Sequence, residues 1–517
     1  MIPGVDAAPG VVAMLVVTAA TLGIGVYGLR ISRTTSDFMV ASRSVSPRLN
    51  AAAISGEYLS AASFLGAAGL LLTFGADMLW YPVGWTAGYL VLLLLVAAPL
   101  RRSGAFTLPD FAEARLASRT VRRACSVLVV AIGWLYLLPQ FQGAGVVLAA
   151  AIGGPPWQST VVVCLVVLVN VASGGMRSIT FVQAFQYWLK LTALLVPAVV
   201  LLLVWFGDGR PAPAPGVLGD PAYPTETLAW SNPIAEGGTI GLYLTYSLIA
   251  ATFLGTMGLP HVVVRFYTNP DGRAARRTTL LVLGLVGVFY LLPPVYAALG
   301  RVYAPHLVER GSDGLVLALP GLMVPGWGGT VLTGLVVGGA FAAFLSTSSG
   351  LVIAIAGVLG QDVTGRSFGR RRLDGVTAFR LGALVAVAVP AVVALTGGDV
   401  GVATTVGLAF AVSASTFCPL LVLGIWWRGL TATGALAGLV VGGVGSGLAS
   451  LLTLYTDPSD LWLDALLRRP AAWSVPVALV AMVGVSLLTR DAVPAHTRRF
   501  MVRLHAPEGT ALGSPRP

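Results

Sequence analysis

The stretch from Ser55 to Gly69, SGEYLSAASFLGAAG, places serines, glycines and a glutamate inside a run that is otherwise apolar. In hydrocarbon every backbone polar group needs a partner, so a helix can unwind there only beside protein or a water-filled cavity. A break between Gly56 and Gly66 would free carbonyl oxygens, which suit a small hard cation, while the N-terminus of a half-helix suits an anion. The alternative is that these small residues let neighbouring helices pack closely.

A second group of polar residues, Ser346 to Ser349, lies in the apolar stretch GGAFAAFLSTSSGLVIAIAG. One such hydroxyl can fold back onto a carbonyl of its own helix, but four consecutive residues point around the whole helix. The hydroxyls of Ser346 and Thr347 and the carbonyl of Ala343 would present oxygens from one side. Two carbonyls from the broken stretch would raise the number to five, which predicts a Na⁺ site.

Ionisable side chains within apolar stretches are costly and indicate a function. Glu57 lies in the broken stretch, where it either pairs to brace the unwound backbone or takes part in the passage of a cation or proton. For Lys190, the only lysine of the chain, we favour snorkelling or a structural partner. We interpret His261 as a histidine near the inner surface rather than a substrate contact.

The composition indicates which elements must hold these residues. Of 517 residues, 56% are hydrophobic and 10% are charged, whereas a soluble domain carries about 25% charged residues. A run of about 20 apolar residues can cross a bilayer, and the first such run is interpreted as a retained helix. Cys125, Cys164 and Cys418 have no paired spacing and are predicted to be packing residues. We predict an all-α integral membrane protein with about 13 spans, near 9–31, 50–74, 77–100, 121–152, 157–173, 180–206, 238–260, 278–300, 328–360, 379–398, 401–427, 431–453 and 473–489.

The net charge of +11 is explained by membrane topology and not by a nucleic-acid partner. With the N-terminus outside, most arginines, Arg265 among them, fall in inner loops or in the C-terminal tail, which is the positive-inside pattern. The outer loops would hold only Arg210, Arg301, Arg310, Arg468 and Arg469. We therefore predict a multi-pass protein of the cell (plasma) membrane with a cytoplasmic C-terminus, in which 1–490 form a transmembrane domain and 491–517 a basic tail.

Four segments of the chain resemble the sodium:solute symporter family, and within it the cation–acetate and monocarboxylate permease branch. The segments are SDFMVASRSVSPRLNAAAISGEYLSAASFLG, TLPDF, GGMRSITFVQAFQ and GLPHVVVRF, which begin at Ser36, Thr107, Gly174 and Gly258. The resemblance implies a thirteen-helix protein with the leucine-transporter fold. Its two five-helix inverted repeats would cover approximately 50–206 and 238–427.

The resemblance also implies site residues. The sodium ligands would be the carbonyls of Gly56, Leu59 and Ala343 and the hydroxyls of Ser346 and Thr347, and these two hydroxyls favour Na⁺ over H⁺. Gln183 stands where sugar-transporting members often carry an acidic residue, which puts a second cation or a proton relay there in doubt. Pro260 is expected to break the seventh span. The substrate-binding residues would be Ser60, Ser63, Tyr81, Thr256, Gly258 and Pro260.

These expectations describe a secondary active symporter rather than an enzyme. It would couple Na⁺ influx to the uptake of a small monocarboxylate such as acetate, propionate or pyruvate, with Na⁺ as the coupling ion and no other cofactor. The alternatives are a Na⁺ symporter for another organic solute, such as proline, a sugar or a polyol, and a proton-coupled monocarboxylate permease. Its partners would be the solute, the sodium ion and the lipid bilayer. The oligomeric state stays open.

Overall fold

The chain is helical throughout the part that the structure describes, and that part contains no β-strand. The computed structural model describes residues 7–31, 35–152, 155–213, 230–234, 238–310, 312–364, 374–396, 402–455 and 460–508. The first half contains helices α1 (Ala7–Ile31), α2 (Thr35–Val40), α3 (Pro47–Tyr58), α4 (Ala67–Phe74), α5 (Trp80–Val91), α6 (Ala97–Arg102), α7 (Leu108–Leu116), α8 (Arg119–Ile152) and α9 (Pro156–Gly207).

The second half continues in the same way. It contains α10 (Gly238–Gly258), α11 (Pro260–Phe266), α12 (Gly272–Tyr290), α13 (Leu292–Tyr303), α14 (Leu307–Arg310), α15 (Leu315–Met323), α16 (Trp327–Thr364), α17 (Gly375–Thr396), α18 (Val402–Trp426), α19 (Ala432–Tyr455), α20 (Leu461–Arg468), α21 (Ala471–Leu488) and α22 (Thr497–His505). Short π-helical turns at Ala62–Gly66 and Leu92–Val96 join α4 and α6 to the helical residues before them.

Eleven helical stretches of the described residues are long and apolar enough to cross a membrane, which confirms the all-helical, polytopic prediction. The predicted number of 13 is not confirmed. Two stretches, Ala62–Arg102 with 41 residues and Thr160–Gly207 with 48, each extend over more than one predicted span. The repeat boundaries and the limits of the C-terminal tail stay predictions.

Helix α9 contains the predicted fifth and sixth spans, and it is interrupted where they meet. Gly175 has φ 57° and ψ −153°, a backbone conformation that residues with a Cβ atom rarely adopt. A Cβ atom at this position would lie 2.7 Å from the Cα atom of Phe38 on α2. The glycine therefore allows both the bend and the close approach of α2.

The predicted second span is broken, but over fewer residues than the sequence suggests. Helix α3 begins after Ser46, whose hydroxyl accepts a hydrogen bond from the Leu49 amide, and it continues through Gly56 to Tyr58. Leu59, with φ −74° and ψ 83°, leaves the helical conformation, and helical structure resumes at Ala61. The break lies at Leu59 and Ser60, near the centre of the bundle.

The predicted seventh span is interrupted by Pro260, as expected. Helix α10 ends at Gly258, Leu259 takes the extended value ψ 119°, and Pro260 starts α11. Every residue of α11 is buried. The two broken helices, α3–α4 and α10–α11, and the long helix α16 therefore meet inside the protein. In the most apolar part of α16, 94% of the residues are buried, because α1, α8, α9 and α17 surround it.

Candidate functional site

The centre of the candidate site is the point where the break after α3 faces α16. The predicted sodium ligands, which we call the cage, are the carbonyl oxygens of Gly56, Leu59 and Ala343 and the hydroxyl oxygens of Ser346 and Thr347. All five residues are buried. The two helices bring these groups together from positions far apart in the chain. As ligands of Na⁺ they stay a prediction.

The ammonium group of Lys190 lies within the cage. Its Nζ atom donates hydrogen bonds to the carbonyl of Gly56, to the carbonyl of Leu59 at 2.7 Å and to the Ser346 hydroxyl at 2.9 Å. We expected snorkelling or a structural partner for Lys190; at 0% exposure snorkelling to the surface is wrong, and the side chain has partners within the protein. The break explains the difference, because it supplies carbonyls that an ammonium can use without reaching water. The feature of the sequence that could have indicated this buried position is that the only lysine of the chain lies in the middle of a predicted span.

The remaining cage groups are bonded to each other and to the break. The Ser346 hydroxyl donates to the Ala343 carbonyl at 3.1 Å, and the Thr347 hydroxyl donates to the Glu57 carbonyl at 2.6 Å. The backbone of α3 at Gly56, Glu57 and Leu59 is thus held by side chains of α9 and α16. These contacts satisfy carbonyls that the helix itself leaves free.

A buried ion pair braces the break from the opposite side. The Glu57 carboxylate accepts a hydrogen bond from Arg265 Nε at 2.6 Å, and Arg265 also donates to Thr180 at 3.0 Å and to the Gln183 side-chain oxygen. Arg265 is 1% exposed, so its assignment to an inner loop is wrong. It lies on α11 because Pro260 restarts the helix inside the bundle. Pairing is therefore the role of Glu57 that the structure shows, and a role in cation passage stays a hypothesis.

Gln183 connects this ion pair to the cage. Its amide nitrogen donates to the Ser346 carbonyl at 2.8 Å while its oxygen accepts from Arg265. A carboxylate at this position could accept from Arg265 but could not donate to a carbonyl. The neutral side chain therefore fits the two neighbours that it joins.

Apart from Tyr81, the predicted substrate-binding residues lie on the broken helices α3–α4 and α10–α11, and each has a neighbour within the protein. The Ser60 hydroxyl accepts from Tyr136 at 3.4 Å, and the Ser63 hydroxyl shares a hydrogen bond with Tyr290 at 2.7 Å. The Thr256 hydroxyl shares one with Tyr58 at 2.7 Å. Gly258 faces α18, where a Cβ atom would lie 2.7 Å from the Ser413 hydroxyl, and Pro260 begins α11.

Several buried polar groups near the break have no hydrogen-bond partner among the described residues. Among the donors are the indole nitrogen of Trp85, the amide nitrogen of Gln140 and the ring nitrogens of His261, and the oxygen atom Oε1 of Glu57 is likewise without a partner there. The Gln140 oxygen accepts from the Ala61 amide at 3.4 Å, which places this side chain at the break. His261 is 0% exposed and its ring centroid lies 5.3 Å from that of Tyr136, so its predicted position near the inner surface is wrong.

Tyr81 lies apart from the other predicted substrate residues, in a cavity of about 310 Å³. The cavity is also lined by Asp77, Arg468 and Arg469 and lies at the end of the bundle predicted to face outside. Arg469 donates to the Tyr81 hydroxyl at 2.6 Å and places its guanidinium 5.3 Å from the centre of the ring. The Tyr81 ring contacts the ring of Trp85, a residue of the interior, at a centroid distance of 5.2 Å.

Two sequence relatives extend over most of the chain. An uncharacterised symporter, YwcA, from Bacillus subtilis is 30% identical over 454 residues, which are 87% of this chain and 86% of the relative. A monocarboxylic acid transporter from Corynebacterium glutamicum is 32% identical over 483 residues, which are 88% of this chain and 87% of the relative.

Solved structures share the fold at low sequence identity. A Na⁺-coupled sialic acid symporter in its substrate-bound outward-open state has a TM-score of 0.69 at 15% identity, covering 93% of this chain and 98% of that one. MhsT in complex with L-phenylalanine has a TM-score of 0.53 at 15% identity, covering 86% and 98%. These likenesses confirm the leucine-transporter-type fold. The family model of the sodium:solute symporters matches residues 38–442, and this multi-pass membrane transporter belongs to that family.

Proposed function

We propose that the protein is a secondary active symporter that takes up a small monocarboxylate, such as acetate, propionate or pyruvate, together with a cation. The observation that carries this proposal is the convergence of Gly56, Leu59 and Ser346 oxygens on one cationic group. Uncharged oxygens at the break of a membrane helix are suited to a monovalent cation that must bind and leave again.

Na⁺ is the coupling ion that the family membership supports, and its ligands would be Gly56, Leu59, Ala343, Ser346 and Thr347. A proton is the second candidate, because the cage already surrounds the ammonium of Lys190. In either case the bound cation would hold the break of α3–α4 against α16. A ligand that binds one conformation better shifts the population toward it, so cation and substrate together would favour the state that opens inward.

The preference for a carboxylate rests on hydrogen-bond donors. Trp85 and Gln140 have buried N–H groups that meet no partner in the described part of the chain, and both residues lie beside the broken helix or its aromatic neighbours. An anion accepts hydrogen bonds and donates none. The Glu57 carboxylate, which would repel an anion, is held by Arg265. A relative that transports monocarboxylic acids, at 32% identity, supports the same assignment.

The cavity beside Tyr81, which we propose as the entrance to the site, is lined by two arginines and one aspartate and would therefore favour an anion. Arg469 places a guanidinium in the cavity beside Tyr81, and a positive charge in a cleft raises the local concentration of anionic solutes. Ser60 and Ser63 would then bind the carboxylate or a substituent on it, in competition with Tyr136 and Tyr290. Proline, a sugar or a polyol is the alternative solute, and the hydroxyls of Ser60 and Ser63 are compatible with it.

The test is uptake of radiolabelled pyruvate into proteoliposomes of the purified protein under combined inward gradients of Na⁺ and H⁺. Pyruvate is almost fully ionised at neutral pH, so little crosses the lipid unaided. Unlabelled acetate and propionate are expected to compete, whereas proline, glucose and mannitol are not. Protein-free liposomes are the control. If proline or a sugar competed and the carboxylates did not, the substrate would not be a monocarboxylate and the alternative class of solute would take its place.

A further inference from the structure

The cavity beside Tyr81 is built from helices that are far apart in the chain. Its volume is about 310 Å³, and ligand sites of proteins typically measure about 300–1,000 Å³. Its lining comes from α4, α5, α10, α18 and α19, from the turn between α4 and α5, and from residues 468–471, which join α20 to α21. The lining includes no residue of the cage and none of the other predicted substrate residues. The cavity is therefore separate from the break.

The backbone of Arg469 is fixed on α10. Its carbonyl oxygen accepts a hydrogen bond from the Tyr243 hydroxyl at 2.7 Å and another from the Ser247 hydroxyl at 2.5 Å. Pro470 follows directly and is buried. The side chain of Arg469 thus enters the cavity from an anchored backbone, which lowers the entropy cost of binding a ligand there.

The side chains of Arg469 and Tyr81 both have hydrogen-bond donors that they do not use. Nη1 of Arg469 donates to the Tyr81 hydroxyl at 2.6 Å, which leaves other N–H groups of the five that a guanidinium carries. Within the described part of the chain no carboxylate forms an ion pair with Arg469. The Tyr81 oxygen accepts in this bond, so its own hydrogen can still be donated. Two adjacent donor groups, one of them charged, are suited to a carboxylate.

The other charged groups of the cavity already have partners. Arg468 Nε donates to Asp464 at 2.6 Å, and the Asp77 carboxylate accepts from the Thr245 hydroxyl at 3.2 Å. Most of the remaining lining is apolar and includes Leu70, Phe74, Met78, Leu244, Leu248 and Leu408. A short monocarboxylate has one charged end and an otherwise largely apolar surface, so it fits both parts of the cavity. A sugar or a polyol would leave hydroxyl groups unpaired against the apolar wall.

We propose that Tyr81 and Arg469 form a second binding site for the solute, an outer site at which a short monocarboxylate binds before it reaches the break. The identity of the solute rests on the proposed function. The carboxylate accepts hydrogen bonds from the guanidinium and from the Tyr81 hydroxyl. Aromatic rings connect this site with the break, because the ring of Trp85 contacts those of Tyr81 and Tyr290 at centroid distances of 5.2 and 5.6 Å. The Tyr290 hydroxyl in turn shares a hydrogen bond with Ser63.

The variant Gly407→Cys places a thiol in the outer site. A Cβ atom at Gly407 would lie 3.5 Å from the Tyr81 hydroxyl and 3.9 Å from Arg469 Nη1, which are ordinary van der Waals distances. The three native cysteines are buried, so the new thiol is expected to give nearly all of the labelling. Thr453→Cys is the second reporter in case Gly407→Cys does not fold. Thr453 also lines the cavity, and its hydroxyl bonds to the Ala449 carbonyl of its own helix.

The first test compares an anionic and a cationic methanethiosulfonate reagent on purified Gly407→Cys, and it needs no transport. The two reaction rates, each divided by the rate with a free thiol, are expected to favour the anionic reagent. Adding Arg469→Gln is expected to lower this preference at least about tenfold, because it removes a charge beside the thiol. Arg210→Gln removes a charge on the same predicted side but outside the cavity, and it should leave the preference unchanged. The same preference with and without Arg469 would overturn the outer site.

The second test measures whether pyruvate occupies the outer site. At constant ionic strength, pyruvate is expected to slow the labelling of Gly407→Cys in a saturable way, and mannitol is not. The pyruvate concentration that gives half-maximal protection should rise at least about tenfold in Arg469→Gln and by a smaller factor in Tyr81→Phe. It should stay unchanged in Ser63→Ala, which alters the break. Protection that survives Arg469→Gln but is lost in Ser63→Ala would place pyruvate at the break alone and overturn the outer site.

The outcomes distinguish the outer site from the proposed function. If the wild type takes up pyruvate but pyruvate gives no protection, the outer site is wrong and the proposed symporter stands. If pyruvate protects through Arg469 but no gradient drives its uptake, the outer site stands and the proposed transport of monocarboxylates is wrong. If pyruvate is not taken up and gives no protection, both proposals are wrong.

Discussion

Ser346 and Thr347 each form a hydrogen bond to the cage or to the break, whereas the neighbouring Ser348 does not. Ser346 accepts from Lys190 and donates to Ala343, and Thr347 donates to the Glu57 carbonyl. The hydroxyl of Ser348 has no hydrogen-bond partner among the described residues. These consecutive hydroxyls therefore differ in their surroundings although they are alike in sequence. This difference gives a substitution series with an internal control.

Ser346→Ala and Thr347→Val are expected to weaken cation-driven uptake, whichever cation is coupled. Removing one partner of a buried hydrogen bond costs about 1–3 kcal/mol, and each 1.4 kcal/mol is a factor of ten in affinity. The measurement is the concentration of cation that gives half-maximal pyruvate uptake in proteoliposomes, which we expect to rise by about tenfold or more.

Ser348→Ala is the matched control for this series, because the hydroxyl that it removes has no hydrogen-bond partner among the described residues. Its half-maximal cation concentration should equal that of the wild type. If Ser348→Ala were impaired as strongly as Ser346→Ala, the cage would not be centred on Ser346. The same conclusion would follow if both cage variants transported normally.

For single residues, the sequence indicated which oxygens lie close together at the break, but it did not indicate which cationic side chains lie near them. A broken helix and a run of hydroxyls are local patterns, so Gly56, Ser346 and Thr347 could be named from them and from the family resemblance. The contact of Lys190 with Gly56 joins residues 134 positions apart, and that of Arg265 with Glu57 joins residues 208 apart. Local periodicity does not predict which helices will be neighbours. For this reason neither Lys190 as the partner of Gly56 nor Arg265 as the partner of Glu57 was identified.

The interrupted helices set the geometry of the site at the scale of elements. Helix α9 bends at Gly175, and its second half then carries Gln183 and Lys190 to the break of α3–α4. The sequence predicted two spans here because hydropathy falls between 173 and 180. The non-helical backbone of Gly175 divides α9 into two helical halves at this place, and hydropathy alone does not show how sharply the chain turns between them.

Gly175→Ala is expected to destabilise the protein because of its positive φ and its contact with Phe38. The conformation of Gly175, φ 57° and ψ −153°, is essentially restricted to glycine and costs a residue with a Cβ atom about 1–3 kcal/mol, and the overlap at 2.7 Å requires α2 to move. The measurement is thermal unfolding in detergent, followed by intrinsic tryptophan fluorescence. The midpoint temperature should fall by several degrees.

Gly284→Ala on α12 is the control for Gly175→Ala, since a Cβ atom there would have no heavy atom within 4 Å apart from its own helix. Alanine is the better helix former, so this variant should be as stable as the wild type or slightly more stable. Equal midpoints for the wild type and Gly175→Ala would show that the bend does not require glycine.

At the scale of the whole molecule, arginines occur both at predicted loop positions and in the buried interior. The positive-inside pattern was counted from the sequence, but Arg265 is a core residue bonded to Glu57, and the guanidinium of Arg301 lies 4.9 Å from the Trp230 ring with only 8% of Arg301 exposed. A count of arginines from the sequence therefore includes side chains that never reach a membrane surface. When Arg265 and Arg301 are left out of the count, the predicted inner side still holds many more arginines than the outer side. The predicted orientation therefore does not change.

The predicted orientation can be measured by cysteine labelling in intact cells. The native Cys125, Cys164 and Cys418 are buried, so a membrane-impermeant maleimide should give little background. Ala212 and Arg276 are exposed, and the predicted topology places them on opposite sides of the membrane. Ala212→Cys is expected to react in intact cells, and Arg276→Cys only after the membrane is permeabilised, because most of the arginines counted from the sequence would lie on the cytoplasmic side. The reverse pattern of labelling would place the N-terminus inside and would turn the Tyr81 cavity toward the cytoplasm. Arg469 would then attract a solute on its way out of the cell.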